Sequence, residues 1–501
     1  MSDVRYSDPG GLRDRLSSRG LISAAAWMSG SHVAAQLFAY GALIALARML
    51  PPESFGTVAA GTAIVWTGIV FMDAGTHGSI VVSPRLTHEQ LRRSFWRCLL
   101  VATAMAAAMA IGAGALVGTV VKGGDAAALA VLALSLPMYA VALIPQAVLH
   151  RAMEFGKLAG ATAVSNAGSA GIAVIAGVAG AGVWALVARQ VLWFALLAGL
   201  AAVLARPHMP ARGSSQERID QQPAALSDHR WFLLFGVTLL LAMNFDYLVI
   251  GAVDDVGAVG LYALAFLIAF APVEHFSYQV GKVLFAAAAA SDRESSGTRT
   301  VQSVRLMSIL LLPLAPAAIV LAPPVLPAVL GSEWEGMVTP FQLLLAVGIT
   351  RAILNCVGET LSDNREIAFR AKVSIGWCAA TLVALVVLVQ LDGIRGAALA
   401  HVVVTVPYAV AYLTAGARRA GTSPAQLWSA VRPVAVAVSW QAAVTAAVAI
   451  GLGAAGAPEG SAAFAGALTG LMVVVAILTR GYGDPAREAV ALLRGAAASG
   501  G

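Results

Sequence analysis

Three acidic residues lie inside apolar stretches that are long enough to cross a membrane. Asp246 falls within a run that begins at Trp231, Glu274 within the next run, which ends near Phe285, and Asp73 within an earlier one. A charge at the bilayer centre costs about 3 kcal/mol on insertion scales, so such residues usually face a bundle interior or a watery cavity. An intramembrane carboxylate can bind and release a proton or coordinate Na⁺. The three acids are therefore candidate ion-coupling or cavity residues.

Three basic residues lie inside or at the edge of similar runs. Arg351 falls about 20 Å into its run and Arg189 about 9 Å into another, while Lys282 is near a run's end, where its ammonium can snorkel to the interface. A guanidinium offers a planar fork that matches phosphate oxygens. The alternative is that each arginine pairs with an acid and braces the helices. Spacings of four place Asn355 and Glu359 on the same helix face as Arg351.

Structural roles also stay open for the acids. Asp73, which precedes Ala74 and Gly75, can form an ion pair or a helix-end hydrogen bond instead. Four further polar residues lie inside the spans: His32, Gln36, Asn244 and His275. A lone histidine in a membrane span more often forms a structural hydrogen bond than a proton relay. The sequence contains no G-x-x-x-x-G-K-[ST] phosphate loop, no H-E-x-x-H and no Cys/His metal spacing. We therefore predict no ATP hydrolysis, no cofactor and no metal site.

The composition predicts an all-α polytopic membrane protein. Hydrophobic residues make up 59% of the chain and charged residues 12%, with a mean hydropathy of +0.80, whereas soluble domains hold about a quarter charged residues. Apolar runs of about 20 residues, the length of a membrane-spanning helix, recur along the whole chain. We predict about 14 transmembrane helices, at residues 21–47, 56–82, 95–120, 126–149, 158–180, 183–205, 231–253, 258–284, 304–328, 338–360, 372–391, 395–415, 433–454 and 461–479.

The basic residues alternate by loop. Most of the 32 Lys and Arg residues fall in the two tails and in every second connection, and the opposite loops hold only Arg48, Lys122 and Arg395. By the positive-inside rule, both termini are predicted to be cytoplasmic. The net charge of +6 therefore indicates topology, and we predict membrane lipids rather than a nucleic acid as its partner.

A linker rich in Pro, Ser and Gln divides the chain. We predict an N-terminal tail and first lobe of six spans (1–205), a cytoplasmic linker (206–230), a second lobe of six spans (231–415), and two extra C-terminal spans with a cytoplasmic tail (416–501). The two lobes begin alike. Aligning Gly56 in IALARMLPPESFGTVAAG with Gly260 in LVIGAVDDVGAVGLYALA predicts an internal repeat with an offset of 204 residues, as in many transporters.

Two capping boxes predict helix starts on the cytoplasmic side. Thr87 with Gln90, and Ser423 with Gln426 after Pro424, have the required spacing. The apolar face that follows Thr87 is typical of a helix lying at the headgroup level.

Several motifs, taken in order, resemble a known family. LARMLPPESFG, MDAGTHGSIV and LTHEQLRRSFW in the first lobe, and NFDYLVIGAVDDVGAVGLYALAFLIAF and GKVLFAAAAA in the second, resemble the Wzx-like bacterial polysaccharide flippases of the multidrug/oligosaccharidyl-lipid/polysaccharide superfamily. The resemblance spans most of the chain. One departure is that Asp254 and Asp255 replace the family's Gly-Pro-like connector, which alters only a periplasmic turn.

The resemblance implies two six-helix lobes around a central cavity, plus two C-terminal helices. It also implies export of undecaprenyl-diphosphate-linked oligosaccharide units across the bacterial inner membrane by alternating access, for cell-surface polysaccharide. On that basis Arg351, Arg189 and Lys282 are candidates for the substrate diphosphate. The acids Asp73, Asp246 and Glu274 are candidates for coupling to H⁺ or Na⁺.

Competing functions remain open at this point. A cation-coupled multidrug exporter and a flippase for the peptidoglycan precursor share the expected fold. A membrane-embedded polysaccharide polymerase or ligase is a remote alternative, because such enzymes generally use a sizeable external loop and every predicted outside loop is about ten residues or fewer.

The predicted topology can be tested by cysteine labelling. In a cysteine-free background, single cysteines at Glu333 and Gly460 should react with an impermeant thiol reagent added outside intact cells. Cysteines at Ser214 and Gly421 should react only after the membrane is permeabilised. Labelling of Ser214 in intact cells would show that the assigned spans are wrong.

Overall fold

The computed structural model shows a bundle of α-helices, with no strand in the residues that it describes. Those residues are 38–73, 75–83, 86–210, 226–270, 273, 293–361 and 367–482. Helices of the N-terminal part are α1 (Phe38–Ala47), α2 (Pro52–Asp73), α3 (Thr76–Val82), α4 (His88–Thr119), α5 (Ala126–Leu132), α6 (Ser135–Arg151), α7 (Phe155–Val178) and α8 (Val183–Ala205). Those of the C-terminal part are α9 (Leu226–Val253), α10 (Val256–Phe270), α11 (Arg293–Leu311), α12 (Leu314–Leu330), α13 (Val338–Thr360), α14 (Ile367–Ala411), α15 (Pro424–Ala454) and α16 (Glu459–Tyr482).

The helices agree with the predicted spans. Within the described ranges, ten helical stretches are long and apolar enough to cross a membrane. One of them, Ala368–Arg419, is broken at Asp392 and Gly393, which have non-helical backbone angles, so it provides two spans. Three shorter apolar helices, which match the predicted spans 21–47, 231–253 and 258–284, are Phe38–Ala47, Asn244–Val253 and Val256–Phe270. Of the predicted spans, about 14 in all, eleven are therefore confirmed within the described residues. Large apolar side chains such as Ile111, which is 87% exposed, cover the outer surface, as expected in lipid.

Both predicted capping boxes occur, but the helix that follows Thr87 differs from the predicted one. Thr87 accepts a 3.2 Å hydrogen bond from the Gln90 amide, and Gln90 Oε1 accepts a 3.1 Å bond from the Thr87 amide. Ser423 and Gln426 form the second box at the start of α15. The expected headgroup-level helix after Thr87 is not a separate element, because α4 continues without a break through 32 residues.

The two lobes touch backbone to backbone where α2 and α10 begin. A Cβ on Gly56 would lie 1.7 Å from the carbonyl oxygen of Val256, and a Cβ on Gly260 would lie 1.9 Å from that of Pro52. No side chain fits at these separations, so both positions require glycine. The two contacts exchange under an offset of 204 residues, the offset predicted from the sequence. The internal repeat therefore appears in the structure as a local two-fold arrangement of the two contacts. In it, the Cα–H groups of Gly56 and Gly260 point at the carbonyl oxygens of Val256 and Pro52.

Hydrogen bonds between the lobes surround this glycine pair. The Trp334 indole donates a 2.9 Å bond to the carbonyl oxygen of Ala47. The Val256 amide donates a 2.9 Å bond to the carbonyl oxygen of Lys122, and Arg48 donates to two backbone carbonyls at the end of α12. All these groups lie at the end of the bundle opposite the predicted cytoplasmic termini. The first and second lobes are thus held together at that end.

The last two helices pack on each other and on the second lobe. A Cβ on Gly470 of α16 would lie 2.0 Å from Thr445 Oγ1 of α15, so the small residue permits close approach, as at many membrane helix interfaces. Gln441 of α15 donates a 2.8 Å bond to the carbonyl oxygen of Pro313, at the break between α11 and α12. The α15–α16 pair is therefore anchored to the second lobe.

Substituting Gly56 should open the lobe contact. In Gly56→Ala, the new methyl would lie within 1.7 Å of the Val256 oxygen, so we expect the lobes to separate at this end. Pulsed EPR distances between spin labels at Lys122 and Glu333 should shift to longer values. Gly112→Ala is the matched control, since a Cβ there has no neighbour within 4 Å. Identical distance distributions in the two variants would contradict the proposed role of Gly56.

Candidate functional site

Asp246 lies at a buried junction of three helices in the second lobe. Its side chain, on α9, is 1% exposed. The Oδ2 atom accepts a 2.7 Å hydrogen bond from the hydroxyl of Tyr262 on α10. The same oxygen lies 2.8 Å from Nε2 of His401 on α14. Because a lone buried carboxylate is costly, the tyrosine and the histidine make it possible to bury Asp246.

Two polar atoms of this junction have no hydrogen-bond partner in the described part of the chain. They are Asp246 Oδ1 and His401 Nδ1, and both are buried. The carboxylate therefore retains an open acceptor, and the imidazole can carry its proton on either nitrogen.

Arg351 is covered by aromatic rings. It lies on α13 and is 4% exposed, with its guanidinium carbon 4.5 Å from the centre of the Trp377 ring and 5.2 Å from that of Phe270. Desolvated cation–π contacts of this kind stabilise by about 2 kcal/mol. A phosphate group would reach Arg351 only after α10 or α14 moved. The side chain of Glu359, predicted to share this face, lies outside what the structure describes.

One face of α10 connects the acid with this arginine. Tyr262, Phe266 and Phe270 follow at spacings of four, with ring centres 6.4 Å and 4.7 Å apart. Tyr262 contacts Asp246 and Phe270 contacts Arg351. Helix α10 rises about 12 Å over these eight residues. Asp246 and Arg351 therefore contact the same helix about 12 Å apart along its axis.

Arg189 is in a different situation from Arg351. It lies on α8 and is partly exposed, and within the described ranges it has no hydrogen-bond or ion-pair partner. An unpaired charge in a membrane bundle is costly unless it meets water or a ligand. Of the two arginines, Arg189 is the more exposed.

Asp73 lies at the break between α2 and α3. Its Oδ1 accepts a 2.8 Å bond from the backbone amide of His77, and its carbonyl oxygen accepts a bond from the Thr76 hydroxyl. The ring of His77 in turn lies 2.8 Å, Nε2 to Nδ1, from that of His150 on α6. This is the helix-end hydrogen bond that the sequence left open as the alternative to a coupling role.

The structure also contains site residues that the sequence analysis did not single out. His401 is the one polar residue in the segment LAHVVV, and Tyr262 lies two residues after Gly260. A polar residue inside an apolar span was the available signal for His401. Candidates that lie outside the described residues are Glu274, Lys282, His275, His32 and Gln36.

Comparisons of sequence place the chain among proteins of polysaccharide biosynthesis. The model of a family described as polysaccharide biosynthesis protein matches residues 45–339. The lipopolysaccharide biosynthesis protein WzxC of Escherichia coli (strain K12) is 23% identical over 401 residues, which cover 77% of this chain and 78% of that protein. The succinoglycan biosynthesis transport protein ExoT of Rhizobium meliloti (strain 1021) is 28% identical over 294 residues, 58% of each chain.

Comparisons of structure show the fold. The lipid II flippase MurJ in an inward closed conformation has a TM-score of 0.72 and 11% identity, covering 91% of this chain and 99% of that one. An inward-facing multidrug resistance MATE family transporter of the MOP superfamily has a TM-score of 0.52 and 15% identity, covering 76% and 94%. At such identities the likeness concerns the arrangement of helices, and it agrees with the predicted two-lobed bundle.

Proposed function

Because this chain belongs to the family of polysaccharide biosynthesis proteins, we propose that it flips lipid-linked oligosaccharide units across the bacterial inner membrane. The observation that carries the proposal is the family match over residues 45–339, together with two relatives whose names place them in lipopolysaccharide and succinoglycan biosynthesis. The substrate class is an oligosaccharide on undecaprenyl diphosphate, as the sequence resemblance implied. The fold alone does not choose between substrates, since it also resembles a lipid II flippase and a multidrug transporter.

The diphosphate is proposed to bind at Arg189. A guanidinium can hold phosphate oxygens through two parallel hydrogen bonds, and Arg189 is partly exposed with no partner in the described part of the chain. Arg351 is the second candidate, in a state in which Trp377 and Phe270 no longer cover it. Lys282 is the third and stays a prediction from the sequence.

Coupling to an ion gradient is proposed to run through Asp246, with Glu274 as a further candidate. The 2.8 Å contact with His401 favours H⁺ over Na⁺, because one of the two groups beside Oδ2 is an imidazole nitrogen, and Na⁺ is a hard cation that prefers oxygen ligands. Asp73, which already accepts the His77 amide, is the weaker candidate.

Alternating access is proposed to break and remake the lobe contact at Gly56 and Gly260. If both termini are cytoplasmic, as the basic residues predict, this contact lies on the periplasmic side and the structure corresponds to a state closed there. Release of substrate then requires these backbones to part, and loading requires them to meet.

Transport by purified protein in liposomes tests the function. The assay follows lipid-linked oligosaccharide into the opposite leaflet by its access to an impermeant glycosidase. Arg189→Ala should reduce the initial rate by about tenfold or more, since a hydrogen bond to a charged group contributes about 1.5–3 kcal/mol. Arg189→Lys should retain part of the rate. Arg92→Ala, which removes an exposed surface guanidinium, is the control.

Two results would contradict these assignments separately. A wild-type rate in folded Arg189→Ala would remove Arg189 from the site. Transport of lipid II, with no transport of the lipid-linked oligosaccharide, would favour the peptidoglycan-precursor flippase over the proposed function.

The coupling proposal predicts loss of pH dependence. In Asp246→Asn and in His401→Gln, an imposed pH gradient should no longer accelerate transport, while substrate binding is retained, because the pair can no longer exchange its proton. The exposed acid in Glu459→Gln serves as the control. If both variants keep the wild-type response to pH and to Na⁺ gradients, Asp246 and His401 are structural.

A further inference from the structure

The first lobe contains an aromatic cluster contributed by three helices. The Trp66 ring on α2 lies 6.3 Å from Tyr139 on α6 and 6.4 Å from Trp193 on α8, centre to centre. Phe194 is 1% exposed and supports the cluster from behind, with its ring 5.9 Å from Trp66. Trp66, Tyr139 and Trp193, by contrast, are all partly exposed. We refer to these three residues as the aromatic platform.

The platform lies beside the unpaired arginine. Trp193 follows Arg189 by four residues, so the two side chains share one face of α8 about one turn apart. Trp66 lies ten residues beyond Gly56 on α2, which is about 15 Å along the helix from the point where the lobes touch. Asp73 follows Trp66 by seven residues on the same face. The platform is therefore set back from the lobe contact, about one helix turn beyond Arg189.

Two hydrogen-bond donors next to the platform have no acceptor. The indole Nε1 of Trp193 and the amide Nε2 of Gln190 are buried without a partner among the described residues, and Gln190 is only 9% exposed. Leaving a buried donor unsatisfied costs about 1–3 kcal/mol. A ligand that brings acceptor oxygens would satisfy both donors.

We propose that the aromatic platform binds the sugar that is bonded directly to the substrate diphosphate. A sugar ring presents C–H groups on its faces and hydroxyl groups at its edge, which match aromatic faces and nearby polar tips respectively. With the diphosphate on Arg189, the first sugar falls one helix turn away, against Trp193. The inference rests on the proposed function, because it assumes the same substrate and the same site.

Binding of two probes tests the inference. The probes are undecaprenyl diphosphate and its mono-glucosyl derivative, with binding measured for the full chain in lipid nanodiscs. Wild-type protein should bind the glucosyl probe about tenfold more tightly, which corresponds to about 1.4 kcal/mol. Trp193→Ala should remove that preference and leave the affinity for undecaprenyl diphosphate within about twofold, because the platform contacts only the sugar.

Matched variants make the result specific. Trp428→Ala removes an outward-facing indole that is 60% exposed and should keep the preference. Should Trp193→Ala fail to fold, Trp193→Phe decides: it keeps a ring but loses the N–H, so a weakened preference supports the inference and an unchanged one overturns it. Equal affinity of wild-type protein for both probes overturns the platform alone. Absence of binding to either probe overturns the proposed function as well.

Discussion

Where α2 and α10 begin, the two lobes meet through backbone atoms alone. At Gly56 and Gly260 each helix meets a carbonyl oxygen of the other lobe at a separation that excludes even a methyl group. Such a contact does not deform gradually, because packed backbones either touch or separate. The first turns of α2 and α10 therefore fix where the lobes are joined. In the proposed mechanism, passage of the substrate between the lobes depends on whether this contact is made.

Helix α10 links that contact with the charged groups of the second lobe. Gly260 lies in its first turns, Tyr262 contacts Asp246, and Phe270 covers Arg351. A change in the hydrogen bonds at Asp246 acts on the same rigid helix that carries the lobe contact. Because α10 contacts both sites, it is the physical route for the proposed coupling of a proton to the opening of the lobes.

Three charged side chains inside the membrane spans have three different environments, which offset the free-energy cost of burying a charge in different ways. Asp246 is satisfied by a tyrosine and a histidine, Arg351 is enclosed by two aromatic rings, and Arg189 is accessible and has no partner in the described ranges. The first two groups have partners within the protein, although Asp246 Oδ1 has none among the described residues. Arg189 has no such partner among them, which is why it is the proposed contact for the substrate diphosphate.

The sequence by itself determined the all-helical bundle, the number of spans and the offset of the repeat. Hydropathy is sufficient for the spans because every backbone group in lipid must be satisfied within its own helix, and Gly56 and Gly260 mark one place where the lobes touch. Capping chemistry predicted where α4 begins at Thr87 but not that the helix continues, since a cap carries no information about length.

Only the tertiary structure decided which charge meets which partner. His401 is 155 residues from Asp246, and a single polar residue in each apolar span does not reveal which spans adjoin. The sequence indicates the depth of Arg351 and Arg189 in their spans, yet depth does not determine exposure, and only the structure shows that the rings of Trp377 and Phe270 cover Arg351. The identity of a neighbour depends on how helices pack, and helix packing in lipid is set by shape, not by hydropathy.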